Sequence, residues 1–156
     1  MSMALVILAA GQGTRMNSDL PKVLHPIGGA PMLVHAIRSG EVLEPARIVV
    51  VTGHGGEAVA RAAADYQPGA EIVVQEDRLG TAHAVAQAKD ALAGFDGDVI
   101  VLYGDTPFIR PETLERMQAA RATHDVVVLG FEAADPGRYG RLVMAGETLE
   151  RIVEFK

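Results

Sequence analysis

Cysteine is absent from the chain, which excludes disulfides, thiolate metal sites and cysteine nucleophiles together and is compatible with a reducing, cytoplasmic setting. A basic excess is absent as well. The balance of 14 Lys and Arg against 20 Asp and Glu, a net charge of −6, argues against sequence-independent binding to a nucleic-acid backbone. Long apolar runs are also missing. The N-terminal one, Met3 to Ala10, is too short to span a bilayer and has no basic region before it, so neither a signal peptide nor a membrane helix is indicated. The five histidines, His25, His35, His54, His83 and His124, show no His-x-x-x-His or His-Glu-x-x-His spacing, so no zinc site is expected. Most of them are assigned to packing or to the surface. Only three serines occur, none in a Gly-x-Ser-x-Gly elbow, so covalent nucleophilic catalysis is poorly supported.

What remains is a chain of 156 residues, 49% of them hydrophobic, long enough for one sizeable core and expected to be a single domain over 1–156. Short apolar runs typical of buried parallel strands appear at Ala4–Leu8, Ile48–Val51, Ile72–Val74, Val99–Tyr103 and Val126–Leu129. Helical patterns alternate with them, from Pro31 in "PMLVHAIRSGEVL", at about Glu57–Tyr66, at Thr81–Leu92 and at Pro111–Thr123. This alternation predicts right-handed crossovers and a mostly parallel sheet covered on both faces. The last stretch, "YGRLVMAGETLERIVEF", holds two extended runs around a Gly-Glu turn and predicts a hairpin near the C-terminus.

Open α/β sheets bind ligands outside the carboxyl ends of their strands. Here those ends carry "AAGQGTR", "TGHGGE", "QEDRLGT" and "YGDTP". The first glycine loop lacks the third glycine of the dinucleotide fingerprint, and after Gly11 it runs "QGTRMNS" with no P-loop lysine. It reads either as a cradle whose backbone N–H groups hold anionic oxygens near Arg15 and Lys22, or as a plain tight turn with two surface cations. Lys22 lies in "DLPKVLHPIGG", framed by prolines, where its ammonium could offset charge developing on a phosphoryl group; a solvated lysine is the plain alternative. Asp105 follows the strongly apolar fourth run, where one carboxylate and phosphate oxygens can share Mg²⁺, unless it simply caps the next turn. Gln75 ends the third run with an amide suited to a nucleobase edge. Gly80 and Thr81 open a helix, offering close backbone approach and a helix N-terminus. Chemistry without an enzyme nucleophile fits direct in-line displacement at phosphorus.

Taken together, "LAAGQGTRM", "PKVLHPIGG", "PML", "VTGHGGEAV", "QEDRLGTAHAV", "VLYGDTPF", "DPGRYGRLV" and "RIVEFK" resemble the sugar nucleotidyltransferases. Within them the match is to the N-terminal uridyltransferase domain of the GlmU family, bacterial bifunctional N-acetylglucosamine-1-phosphate uridyltransferase/glucosamine-1-phosphate acetyltransferases. The resemblance covers nearly the whole chain, and "LGTAHA", "YGDTP" and "GRYGR" are its most specific parts. It implies a Rossmann-like three-layer αβα nucleotidyltransferase domain that joins UTP to N-acetylglucosamine 1-phosphate. The products would be pyrophosphate and UDP-N-acetylglucosamine, a precursor for peptidoglycan and cell-wall synthesis.

By position, the resemblance implies that Ala9, Ala10, Gly11, Gly13, Gln75, Gly80 and Thr81 hold the nucleotide. Arg15 and Lys22 would act on the triphosphate, and Asp105 would bind Mg²⁺. Tyr103, Gly140 and Glu154 would contact the sugar or its neighbourhood. Arg78 and Phe108 depart from the family's usual glutamine and leucine. The family's domain also continues beyond "IVEFK", through one asparagine on the sugar and a second completing the Mg²⁺ site, so the domain is expected to be incomplete at its C-terminal end. A non-catalytic nucleotide-binding module, or a nucleotidyltransferase for another nucleotide or sugar phosphate, remain as alternatives, and the oligomeric state stays open.

Overall fold

Residues 2–11, 16, 18–53, 55–77, 79–146 and 148–154 are described by a computed structural model. The first apolar run forms β1 (Met3–Ala9), all seven residues of which are buried. A 3₁₀ turn at Lys22–Leu24 and a tight hairpin of β2 (Pro26–Ile27) and β3 (Ala30–Pro31) lead into α1 (Met32–Glu41). Then come β4 (Arg47–Gly53), α2 (Glu57–Tyr66), β5 (Glu71–Gln75), α3 (Thr81–Ala86), β6 (Asp98–Tyr103) and α4 (Pro111–Ala120). The long strands form one parallel sheet in the order β5-β4-β1-β6.

Alternation along β1 divides the core into two faces. Leu5, Ile7 and Ala9 join Leu33, Ile37, Val59 and Leu114 from α1, α2 and α4 on one side. Val6 and Leu8 join Ala84, Ala88 and Ala91 on the other. The chain steps from β1 outward through β4 to β5, then crosses back to β6 on the far side of β1. Right-handed crossovers in opposite directions put their helices on opposite faces, and this is why α3 packs on the second side while α1, α2 and α4 pack on the first. Helix α1 sits close on the sheet because Gly40 has no side chain: a Cβ there would lie 2.5 Å from Leu5 Cδ2.

Polar contacts tie helices to one another. The Tyr66 hydroxyl donates to Glu41 Oε2 at 2.9 Å and accepts from Arg38 Nε at 3.2 Å, joining α1 to α2. Burial pushes the Tyr66 pKa above its ordinary value, with the Arg38 hydrogen bond opposing and Glu41 reinforcing. Arg47 Nη1 donates to the carbonyls of Ala91 and Ala93 at 3.0 and 3.1 Å, satisfying acceptors at the end of the segment that follows α3.

The expected helix over Thr81–Leu92 is shorter than its apolar period. The α-helix stops at Ala86, and Gln87, Ala88 and Lys89 donate instead to carbonyls three residues back. The backbone tightens while Ala84, Ala88 and Ala91 still face the sheet. The fourth helix likewise ends at Ala120 rather than Thr123.

The chain divides into two compact units, residues 1–119 and 120–156. In the second, β7 (Arg141–Ala145) and β8 (Thr148–Val153) form the expected antiparallel hairpin, with an irregularity at Val143/Met144. Phe131 and Tyr139 pack edge to face with centroids 5.0 Å apart. The strand expected at Val126–Leu129 is not formed. Its composition suits a buried strand, but a strand exists only by pairing. Among the described residues this run has no partner strand, and Val126 is 76% exposed. No helix among the described residues is long and apolar enough to cross a membrane.

Candidate functional site

The carboxyl ends of parallel strands share one edge of the sheet, and where the chain reverses its direction of travel two neighbouring loops part and leave a crevice. Here the reversal lies between β1 and β6. A cleft of about 310 Å³ opens there. Leu8, Ala10 and Gly11 line it from the end of β1, and Tyr103 and Asp105 from the end of β6.

Lys22 enters from the 3₁₀ turn, which is closed by Leu24 N donating to Pro21 O at 2.9 Å and anchored by the buried Val23. Its Nζ lies 2.8 Å from Asp105 Oδ2. Eighty-three residues separate the two in sequence, and only the adjacency of β1 and β6 brings them together. Both side chains keep about a third of their surface in solvent, at 39% and 33%, so the pair faces the opening of the cleft. Tyr103 O accepts from Thr106 N and Oγ1, at 3.2 and 3.1 Å, in the turn that carries Asp105.

In the same lining, Gln75 closes β5 with only 4% of its surface exposed. Its Nε2 donates to Gly80 O at 3.2 Å and lies 3.1 Å from His83 Nδ1. Gly80 makes this possible with φ +101° and ψ −178° at the start of α3, a region that essentially only glycine occupies. The turn it permits brings the start of α3 against Gln75 at the end of β5 while Ala84 packs with Val6 and Leu8 of β1. Thr81 and Ala84 consequently join the lining.

Ala10, Gly11, Lys22, Gln75, Gly80, Thr81, Tyr103 and Asp105, picked from sequence, therefore share one cleft. Ala9 does not face it; its side chain is buried in the core. Gly13, Arg15 and Arg78 lie outside the described residues. Gly140 and Glu154 belong to the second unit, where a Cβ on Gly140 would lie 3.3 Å from Glu154 Oε1. Phe108 is exposed, takes a left-handed φ of +68°, and stacks at a tilt on His35 with centroids 4.8 Å apart. The loop after β4 was expected to help form the site; Gly53, Gly55 and Gly56 instead line a separate hollow of about 240 Å³.

Sequence reasoning missed Leu8, Val23 and Ala84 as apolar walls of the cleft, and it missed His83. The signal for His83 was its four-residue spacing from Gln87 across one helical face, beside a strand-end glutamine.

Chemically, the cleft combines a fixed ammonium, a carboxylate, a buried amide and glycine-lined backbone. Among the described residues no three His, Cys, Asp or Glu side chains gather to enclose a metal. The lone Asp105 carboxylate suits a hard cation such as Mg²⁺, which takes most of its ligands from water and phosphate.

The model of the MobA-like NTP transferase domain family matches residues 5–154. A protein called bifunctional protein GlmU from Ruegeria pomeroyi is 74% identical over 156 residues, which is 100% of this chain and 35% of that one. The protein of the same name from Cereibacter sphaeroides (strain ATCC 17025 / ATH 2.4.3) is 70% identical over 155 residues, 99% of this chain and 34% of that one. The chain thus spans about a third of the length of these curated relatives. Among solved structures, HddC from Yersinia pseudotuberculosis complexed with GMP-PN superposes with a TM-score of 0.77 at 25% identity, over 97% of this chain and 68% of that one. A putative glucose-1-phosphate thymidylyltransferase from Bacillus anthracis gives 0.70 at 26% identity, over 98% and 64%.

Proposed function

Because the chain belongs to the MobA-like NTP transferase domain family, we propose that it transfers a uridylyl group from UTP to N-acetylglucosamine 1-phosphate. UDP-N-acetylglucosamine and pyrophosphate are the products. Identity of 74% to a GlmU protein over the whole of this chain supports that choice of substrates. The family match runs through both compact units, which supports one nucleotidyltransferase domain over 1–156. The observation that carries the reading is the meeting of Lys22 and Asp105 at 2.8 Å in a cleft walled by the Gln75 amide.

In this reading an oxygen of the sugar phosphate attacks the α-phosphorus of UTP while the bond to pyrophosphate breaks. No enzyme nucleophile takes part. The sequence's lack of cysteine and scarcity of serine agree with this. Ala10 and Gly11, with Ala9 behind them, offer backbone to the nucleotide, and Gln75, Gly80 and Thr81 receive its base. Lys22 offsets the charge that grows on the phosphoryl oxygens and leaving group, which is where electrostatic stabilisation lowers the barrier most. Gly13 and Arg15 are assigned to the same triphosphate from their place in the sequence motif. Asp105 would hold Mg²⁺, which would supply charge neutralisation for the phosphates. Tyr103, Gly140 and Glu154 are assigned to the sugar, Glu154 as an acceptor for its hydroxyls. Charged substrates of this kind do not cross a bilayer unaided, so the reading places the protein in the cytoplasm.

Pyrophosphate release is the test. It should require UTP, N-acetylglucosamine 1-phosphate and Mg²⁺ together. No release at high enzyme concentration would refute catalysis by this chain, and calorimetric UTP binding without turnover would make it a nucleotide-binding module. The names of the solved relatives include a guanine-nucleotide complex and a thymidylyltransferase, so a panel of nucleoside triphosphates must accompany the assay. Turnover with another base would reassign the substrate and keep the reaction.

A further inference from the structure

Gln75 is one of two buried polar residues among those described, the other being Thr52, and its surroundings restrict what its amide can offer a ligand. An amide nitrogen carries two hydrogens. One goes to Gly80 O at 3.2 Å and the other points to His83 Nδ1 at 3.1 Å. With both N–H groups spent inside the protein, the carbonyl oxygen Oε1 is the part of this side chain left to offer in the cleft. Turning the amide over would set that oxygen against Gly80 O, two acceptors face to face.

The histidine decides whether this arrangement holds. Gln87 Nε2 lies 3.2 Å from His83 Nε2 and donates to His83 O at 3.1 Å. Both ring nitrogens thus face an amide nitrogen, yet a neutral imidazole has one lone-pair nitrogen and one N–H. Only one of the two glutamines can donate to the ring. Gln75 is buried and has two acceptors waiting for its hydrogens. Gln87 is only half-buried and can exchange its ring contact for water. The consistent state is the tautomer with Nδ1 unprotonated and the hydrogen on Nε2.

Resting on the nucleotide reading above, we propose that His83 is a positioning residue for base choice: through its Nδ1 lone pair it holds the Gln75 amide with Oε1 toward the nucleobase. An acceptor in that place pairs with the ring N–H of uracil and meets the unprotonated ring nitrogen of cytosine as a second acceptor. His83 touches no substrate in this arrangement. It acts through Gln75.

Two measurements test this. In the nucleotide-free protein, long-range ¹⁵N–¹H NMR of the imidazoles, with His83 assigned by its loss in His83→Asn, should show Nδ1 unprotonated; a hydrogen on Nδ1 overturns the proposal whatever the protein binds. Calorimetry with UTP and CTP then reads the consequence. The preference of wild type for UTP should collapse about tenfold or more in His83→Leu and be largely kept in His83→Asn, whose Oδ1 restores an acceptor near the Nδ1 position. Equal weakening of UTP and CTP in His83→Leu, with the ratio unchanged, would make His83 merely structural and overturn the proposal. Equal affinity for the two in wild type would also overturn it and leave nucleotide binding standing. Binding of no nucleotide at all would remove the functional reading itself.

Discussion

The Lys22–Asp105 pair gives the sharpest test of whether the cleft is built for stability or for chemistry. Two unit charges 2.8 Å apart attract by about 1.5 kcal/mol in a water-like dielectric and about 6 kcal/mol at an effective dielectric of about 20. Solvent reaches both partners, so the lower figure is nearer, and the entropy of fixing a lysine opposes it. Exposed pairs typically couple by about 0.2–1 kcal/mol. A urea-denaturation cycle of Lys22→Met, Asp105→Asn and the double variant should therefore give a coupling of at most about 1 kcal/mol, smaller still in high salt. Thermal midpoints should move by only about 2–4 °C, the shift that such an energy produces in a chain of this size. Pyrophosphate release should fall far more, by about 100-fold or beyond, equivalent to about 2.7 kcal/mol of transition-state stabilisation. Asp105→Asn should abolish the Mg²⁺ dependence, and Lys22→Met should lower kcat more than UTP affinity. In the nucleotide-free protein, Lys22→Met should also strengthen Mg²⁺ binding, because it removes a cation that already occupies one oxygen of Asp105. A coupling above about 3 kcal/mol with turnover untouched would show a structural strut and refute the catalytic assignment.

Three further outcomes follow from the same geometry. Gly80→Ala meets no atom within 4 Å of its new Cβ, so its whole effect is backbone strain of about 1–3 kcal/mol; UTP affinity by calorimetry should drop as Gly80 O shifts away from Gln75, and unchanged affinity would argue against that coupling. Gly40→Ala should gain up to about 1 kcal/mol in helix propensity and lose about 1–3 kcal/mol by overpacking against Leu5. A net stabilisation in urea denaturation would show that Leu5 is free to move. Tyr66 has a raised folded-state pKa; its contribution is fully present below the unfolded value of about 10 and is lost as pH rises through the folded value. Difference absorbance against Tyr66→Phe should therefore show ionisation above that of free tyrosine, and an unshifted titration would contradict the partly buried setting of the hydroxyl between Glu41 and Arg38.

How far the sequence revealed this molecule depended on how local each determinant is. The run in β1 was legible because burial on both faces demands an uninterrupted apolar strand, and α2 was legible because Val59 and Ala63 recur at helical spacing. The strand-end rule placed Gln75 and Asp105 at one edge, the proline framing singled out Lys22 beside the glycine loop, and the three share one cleft. Val126–Leu129 misled because pairing is a property of two segments, and composition reports only one. The β2–β3 hairpin was read as a proline-framed loop although Gly28-Gly29 between short runs is a turn signal. For the contact of His83 with Gln75 the sequence offered only the spacing of His83 from Gln87 beside a strand-end glutamine, because the contact itself depends on the glycine turn at Gly80. The roles assigned to Gly140 and Glu154 rest on motif resemblance, while the structure shows those two residues as neighbours.

Because the cleft takes its walls from Leu8 and Gly11 at the end of β1, Lys22 and Val23, Gln75 and Ala84 around the start of α3, and Tyr103 and Asp105 at the end of β6, no single segment of the chain forms the cleft before the β1–β6 pairing has closed. Recognition is therefore a property of the assembled sheet, and ligand and fold are thermodynamically linked. A ligand present at about 100 times its dissociation constant adds about 2.7 kcal/mol to the folded state. That gain is shared by every strand that has to be in place, and it would appear as slower hydrogen exchange along β1 as far as Met3 and Ala4, at the end of the strand away from the cleft.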